Sequence, residues 1–212
     1  MHFNKLKTIF VSAAMFSTAV HAEWTSLEYQ GFYQRLQQFN KNDYQLVELT
    51  FSVPKTQGCH LMDANISKGT TQYPLVFNEQ QRLYFPFDRS LKSGRALVNL
   101  NVDGNANNCA IAMQISAKQP RKDYQRQELI QMVEEINQLS SSLQGFPVRY
   151  FMADIDGLQF EFDEKIVYLS SNHIQKKSTE GKISLTLAEI NVLDSVSFSS
   201  LPRVVSALKL AS

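Results

Sequence analysis

The segment KDYQRQELIQMVEEINQLSSSLQ, residues 122–144, decides the fold, because it is a long helical pattern between two stretches rich in strand patterns. Its apolar residues recur at the three- and four-residue spacing that places side chains on one face of a helix. That face consists of Leu129, Met132, Val133, Ile136, Leu139 and Leu143. Gly145 and Pro147 follow as stop signals. We therefore predict a connecting helix at residues 121–145 whose apolar face packs on sheet residues.

The stretch before this helix contains six strand patterns. In residues 45–53, valine, leucine and phenylalanine alternate with polar residues, which is the period of a half-buried strand. The other candidates are residues 59–66, 73–77, 82–85, 96–102 and 109–117. Clusters of Gly, Asn, Pro and Ser separate them, as is typical of antiparallel sheets. Residues 23–120 are therefore predicted to form a β-sandwich-like domain.

An N-terminal helix is predicted to precede these strands. Thr25 and Glu28 have the spacing of a capping box, and Trp24 is placed to pack on Tyr29. Apolar residues then recur at helical spacing, namely Leu27, Tyr29, Phe32, Tyr33, Leu36 and Phe39. We expect this helix to begin within residues 24–28 and to pack its apolar face on the sheet.

The stretch after the connecting helix returns to strand patterns. They lie at residues 148–152, 158–162, 166–169, 183–187 and 196–198, which predicts a smaller β-rich unit at residues 146–212. The length of the chain allows one large domain or two small ones. We predict a mainly β (α+β) fold with two small antiparallel β-rich units, an N-terminal helix and a long connecting helix.

Residues 1–22 have the three parts of a secretory signal peptide. Two lysines near its start supply positive charge, and residues 9–20 are apolar. The motif Val20-His21-Ala22 supplies a small-residue cleavage site. Cleavage after Ala22 predicts a periplasmic protein with no transmembrane segment in the mature chain. The composition of the full chain fits a folded protein, since 43% of its residues are hydrophobic and 19% are charged. The 21 basic and 20 acidic residues nearly balance, which disfavours nucleic acid as a partner.

Two cysteines, Cys59 and Cys109, follow the cleavage site, and an exported pair predicts a disulfide. The alternative is two free thiols. The disulfide is favoured because Cys109 shares the inward parity of a strand pattern with Ile111, Met113, Ile115 and Ala117. For a loop of this length the chain-entropy account gives roughly 4 kcal/mol of stabilisation before strain is deducted.

Catalytic and metal-binding motifs are absent from the sequence. His60 and His173 are the two histidines beyond the leader, and they are too few and too far apart in sequence to indicate zinc. The chain lacks a nucleophile elbow, a His-Glu-x-x-His motif and a phosphate-binding glycine loop. We therefore predict no catalytic residue, no metal and no cofactor, and we favour a protein that is not an enzyme.

Two acidic segments have alternative interpretations. Residues 103–108 resemble the start of a calcium loop, but their Asp, Gly and Asn residues are also those of a hairpin turn, which we favour. The carboxylates in residues 154–164 could serve an envelope hydrolase. However, Glu161 alternates with Phe160 and Phe162, which places it on the solvated face of a strand. Hydrolysis is therefore the alternative hypothesis.

An aromatic segment offers the best candidate binding surface. Tyr84, Phe85 and Phe87 lie within Leu83-Tyr84-Phe85-Pro86-Phe87-Asp88, where exposed rings could anchor a partner or stack on a sugar. The alternative is that two of the three rings fill the core. We predict binding of an unidentified envelope protein or ligand, with a carbohydrate-binding protein as the alternative.

Several segments can be compared with known families, namely the leader, Tyr29-x-x-Phe32-Tyr33, residues 46–53, Cys59, residues 83–88 with Leu91, residues 181–185 and residues 198–204. In these segments the chain resembles the DUF2987 family of uncharacterised exported gammaproteobacterial proteins. This resemblance implies an envelope protein of a Gram-negative bacterium and supplies no reaction, ligand or site residue.

Overall fold

The computed structural model describes residues 22–55, 58–103, 109–144 and 154–208. The leader up to residue 21, the turn at residues 104–108, the stop signals at Gly145 and Pro147, and the strand at residues 148–152 are predictions outside the described residues. Within them the fold is mainly β, with four helices and three antiparallel sheets. The predicted α+β fold class is confirmed.

The helices are α1 (Tyr29–Phe39), α2 (Arg89–Ser93), α3 (Arg126–Gln144) and α4 (Leu187–Val192). The strands are β1 (Ala22–Glu28), β2 (Val47–Ser52), β3 (His60–Lys68), β4 (Thr71–Pro74), β5 (Arg82–Leu83), β6 (Leu97–Asp103), β7 (Ala112–Ala117), β8 (Asp123–Gln125), β9 (Gly157–Glu161), β10 (Val167–Ser171), β11 (Gln175–Ser178), β12 (Lys182–Thr186), β13 (Ser195–Phe198) and β14 (Val204–Leu208).

A six-stranded sheet joins the two parts of the chain that α3 separates in sequence. Its strand order is β12-β9-β14-β7-β2-β5, and Ser206 of β14 pairs with Ser116 of β7. A four-stranded sheet of order β1-β6-β3-β4 lies within the N-terminal part, and another of order β11-β10-β13-β8 includes β8 from just before α3. Strands from both predicted units therefore form one continuous sheet.

Two hydrophobic cores lie on the inner faces of these sheets. The N-terminal core contains buried residues of α1, β2, β3 and β6, and the central core contains buried residues of α3, β9, β10, β12, β13 and β14. Phe39, Ile115 and Leu143 pack against both cores. Leu129, Val133 and Ile136 of α3 are buried in the central core as predicted, and Leu143 is half-buried. The apolar stripe of α3 is therefore covered along its length.

The predicted start of the N-terminal helix is wrong. Residues 22–28 form β1, which pairs antiparallel with all of β6, and the helix begins only at Tyr29. The Tyr29 N–H donates to the Ala96 carbonyl oxygen at 3.0 Å, which continues this pairing up to the first turn of the helix. Long-range strand pairing therefore overrides the local capping-box pattern of Thr25 and Glu28.

The predicted disulfide is present. Cys59 and Cys109 are bonded, with their Cα atoms 5.6 Å apart, and both are buried in the N-terminal core. The strand used to predict the disulfide is partly wrong. The prediction assumes a strand in which Cys109 and Met113 both point inward, but β7 begins only at Ala112 and Met113 is exposed. The partner strand β2 ends at Ser52, which pairs with Ala112, so the residues before Ala112 have no β2 residue opposite them.

Candidate functional site

The three aromatic residues of the candidate binding surface have different environments. Phe85 is half-buried, because its ring stacks on Phe32 at a centroid distance of 4.4 Å and meets the edge of Phe51 at 5.2 Å. Tyr84 and Phe87 are exposed. The structure therefore assigns one ring to packing and leaves two rings available for contact with another molecule.

Phe87 forms an exposed stack with a ring of α1. The Phe87 and Tyr33 centroids are 4.6 Å apart with an interplanar angle of 11°, yet Phe87 keeps 49% of its surface exposed. The Lys92 ammonium of α2 lies 5.1 Å from the centroid of the Tyr33 ring. We call Tyr33, Phe87 and Lys92 the aromatic surface. It combines a fixed apolar ring with an adjacent positive charge.

The backbone that carries Phe87 is held from both sides. The buried Tyr29 hydroxyl donates to the Pro86 carbonyl oxygen and accepts the Asp88 N–H at 3.1 Å. Burial of Tyr29 is the main reason that its pKa lies above the ordinary value. Asp88 caps α2 by accepting the Ser90 N–H at 2.6 Å, and this hydrogen bond is the main reason that the pKa of Asp88 is lowered. The Phe87 ring is thus presented on a fixed segment.

Helix α2 gives this region a positive edge. Between Arg89 and Arg95 the sequence contains Lys92 and no carboxylate, and both arginines are exposed. Our sequence predictions missed α2 and Lys92, and they assigned Tyr33 only to the packing face of the N-terminal helix. Asp88 is a preferred N-cap residue, and Gly94 is a preferred residue at a helix end, so a short helix was indicated by these two residues.

Tyr84 lies against polar neighbours instead. It is 47% exposed, and the Arg82 guanidinium carbon lies 5.2 Å from its ring centroid. The Asn78 side-chain amide donates to the Tyr84 hydroxyl at 3.3 Å. Arg82 in turn donates two hydrogen bonds to the Glu48 carboxylate, at 2.8 and 2.7 Å, and these raise the pKa of Arg82. Tyr84 is therefore fixed beside an ion pair.

A polar groove adjoins Tyr84 on the six-stranded sheet. It encloses about 380 Å³, and Asn78 and Arg82, the two residues that contact Tyr84, belong to its lining. Residues of β2, β7 and β14 form most of the remaining lining, together with Lys118, Asp163 and Arg203. We call this space the polar groove.

An apolar groove lies next to α1. It encloses about 500 Å³ between α1, the end of β1 and the segment that leads from Cys109 to Met113. Phe32 and Phe51 line this groove, and Phe32 also stacks on Phe85. Sequence reasoning missed it, because the groove depends on the exposure of Leu27 and Met113, which the sequence predicted to be inward-facing.

The other candidate residues are in exposed or ion-paired positions. His60 begins β3 and His173 lies in a turn, and both are exposed. Glu161 contacts Lys182 and Arg203, each at 3.3 Å. Among the residues that the structure describes, no group of three or more His, Cys, Asp or Glu side chains is arranged to hold a metal ion.

No helix among the described residues is both long enough and apolar enough to cross a membrane.

The family model described as "Protein of unknown function (DUF2987)" matches residues 21–162. This match covers more than half of the chain, so the protein belongs to the DUF2987 family, as the sequence resemblance predicted. No curated protein and no solved structure matches the chain.

Proposed function

We propose that this member of the DUF2987 family is an exported, non-enzymatic protein of the cell envelope that binds a protein partner through the aromatic surface. Export is supported by the leader at residues 1–22 and by the buried disulfide, which suits an oxidising compartment.

Cleavage of the leader predicts a mature N-terminus at Glu23. Mass spectrometry of the periplasmic fraction tests it, and an intact peptide that begins at Met1 contradicts it.

The exposed but fixed ring of Phe87 is the observation that carries the binding proposal. An exposed side chain usually loses conformational entropy when a partner immobilises it, and this loss weakens binding. Phe87 has already lost much of that freedom, because it stacks on Tyr33 and its backbone is held by Tyr29. Covering the exposed half of a phenylalanine ring contributes about 2 kcal/mol. This ring therefore has the properties of a binding anchor.

The charges around the ring define the chemistry of the partner. Lys92, Arg89 and Arg95 carry positive charge, whereas the nearest carboxylate in sequence, Asp88, accepts the hydrogen bond that caps α2. A partner that covers Phe87 must accommodate these cations. We propose a protein whose apolar pocket is bordered by carboxylates.

Capture by the purified mature protein from envelope extract tests this proposal. The variants are Phe87→Ala and Lys92→Glu, and the matched controls are Tyr168→Ala and Lys177→Glu. Tyr168 is a suitable control because it is 51% exposed and the Lys177 ammonium lies 5.6 Å from its ring centroid.

We expect each aromatic-surface variant to lower capture of the same partner about tenfold, with both controls unchanged. Capture should also weaken at high salt, because the cations of α2 contribute to it. Equal capture by all four variants and the parent protein contradicts the proposal.

A further inference from the structure

The outer face of the six-stranded sheet carries a continuous row of polar side chains. Directly paired residues connect five strands in the order Ser184, Gln159, Ser206, Ser116 and Glu48. Paired residues project to the same face of a sheet, and successive residues alternate between faces. The row therefore lies opposite the buried residues of the same strands, and it forms one polar surface across the sheet.

The polar groove lies on this surface. Thr50 and Ser52 of β2 lie on the same face as Glu48, because they follow it at intervals of two residues. The lining also includes the residues Gln80, Gln114 and Ser116. Hydroxyl and amide groups both donate and accept hydrogen bonds. The groove therefore offers donors and acceptors close together in a space of about 380 Å³, within the range of small-molecule sites.

Four of the five charged groups of the groove are paired with one another, and the fifth, the Lys118 ammonium, donates to the Tyr44 carbonyl oxygen. Glu48 accepts both hydrogen bonds from Arg82, and the Arg203 Nε atom lies 3.1 Å from the Asp163 carboxylate. A charged ligand would have to compete with these ion pairs. An apolar ligand would cover hydroxyl and amide groups without giving them hydrogen bonds, which is unfavourable. The lining therefore favours a neutral ligand with many hydroxyl groups.

We propose that the polar groove is a binding site for a neutral oligosaccharide, with Tyr84 as its aromatic contact. Sugar hydroxyls can satisfy the amides and hydroxyls of the lining, and the C–H face of a sugar ring can pack on an exposed aromatic ring. Asn78 and Arg82 hold the Tyr84 ring beside the groove. This site is independent of the aromatic surface, which consists of Tyr33 on α1, Lys92 on α2 and Phe87 in the segment before α2.

The full mature protein provides the test, with chitotetraose and maltotetraose as neutral probes and trigalacturonate as the acidic probe. Amide chemical shifts are followed by NMR during titration with each saccharide. We expect at least one neutral probe to shift the resonances of Thr50, Gln114 and Ser116. We expect the acidic probe to bind more weakly.

Four variants determine whether binding depends on the groove. Tyr84→Ala and Gln114→Ala should each lower the affinity for that probe about tenfold, with an unchanged thermal unfolding midpoint as the check on folding. Tyr84→Phe should retain binding, because it keeps the ring. Tyr168→Ala, which removes an equally exposed ring outside the groove, should have no effect.

Failure of both neutral probes to bind overturns the proposal. It is also overturned by tighter binding of the acidic probe or by equal losses in Tyr84→Ala and Tyr168→Ala. None of these results bears on partner capture through Phe87, so the two proposals can fail separately.

Discussion

The Glu135 carboxylate on α3 accepts the backbone N–H of Val47, at the start of β2, at a distance of 3.1 Å. The same carboxylate accepts the N–H groups of Gln45 and Leu46, at 3.1 and 2.9 Å. Glu135 is buried, and it satisfies one buried amide, that of Val47, and two neighbouring amides that are partly buried. This contact fixes the connecting helix to a central strand of the six-stranded sheet.

We predict that Glu135→Ala lowers the free energy of unfolding by about 3 kcal/mol, because buried and partly buried N–H groups lose a charged acceptor. Urea denaturation followed by circular dichroism measures the change. Glu134→Ala, at the exposed neighbouring position, should change the stability by less than about 0.5 kcal/mol. Similar losses in both variants would show that the hydrogen bonds of Glu135 are unimportant.

Gln81 is a second buried polar residue that joins separate segments. Its side chain accepts the Leu61 N–H at 2.7 Å and donates to the carbonyl oxygens of Val53 and Cys59, at 2.7 and 3.2 Å. We predict that Gln81→Ala costs about 2–4 kcal/mol of unfolding free energy, since these three groups lose their partner. Gln80→Ala, at an exposed position, serves as the comparison, and thermal unfolding of both variants checks the difference.

Substitution of Gly157 by alanine tests how closely β9 and β12 approach each other. Its φ is +154°, and an added Cβ would overlap the Leu185 carbonyl oxygen and lie 2.8 Å from the Thr186 Cα. Gly69 also has a positive φ, of +58°, but an added Cβ there meets no atom within 4 Å. We expect Gly69→Ala to cost about 1 kcal/mol from backbone strain alone and Gly157→Ala to cost clearly more. Equal midpoints in urea for the two variants would contradict the close approach.

Because the pKa of Glu189 on α4 is lowered, we predict that the stability of the fold falls in acid. Burial raises this pKa, but hydrogen bonds from Lys176 and Thr186 outweigh burial and hold it below its ordinary value of 4.5. A lowered folded-state pKa stabilises the fold above the unfolded-state value, and the contribution is lost as the pH falls through the folded-state value.

Glu189→Gln should therefore lower the free energy of unfolding by about 1 kcal/mol at neutral pH. The difference from the parent protein should shrink progressively as the pH falls below 4.5. Urea denaturation at a series of pH values measures it. A difference that stays constant through the acidic range would show that the charge of Glu189 is not the cause.

Local patterns predicted the body of the connecting helix but not where it begins, because residues 123–125 form β8 and α3 begins at Arg126. They also failed to predict the start of α1. The periodicity of Leu129, Val133 and Ile136 is a property of one segment, and the structure buries all three. Thr25 is in a strand because it pairs with Leu100 of β6, which lies far away in sequence. A single sequence does not reveal such a pairing, so the capping-box pattern led to the wrong element.

The sequence singled out the rings of the candidate site but neither Lys92 nor the arrangement of the rings. Phe85 and Phe87 are chemically equivalent in the sequence. Their environments differ because Phe85 packs between Phe32 and Phe51, whereas Phe87 is covered on one face by Tyr33. The polar groove likewise requires the pairing of β7 with β14, which joins residues from both sides of the connecting helix.

Photocrosslinking at position 87 in intact cells tests the proposed partner binding most directly. Phe87 is replaced by the photoreactive analogue p-benzoylphenylalanine, and Tyr168 is replaced in the same way as the comparison. The account predicts one crosslinked protein partner at position 87 that is absent at position 168 and is lost in combination with Lys92→Glu. The account is contradicted if position 87 gives no crosslinked partner, or if positions 87 and 168 give the same products.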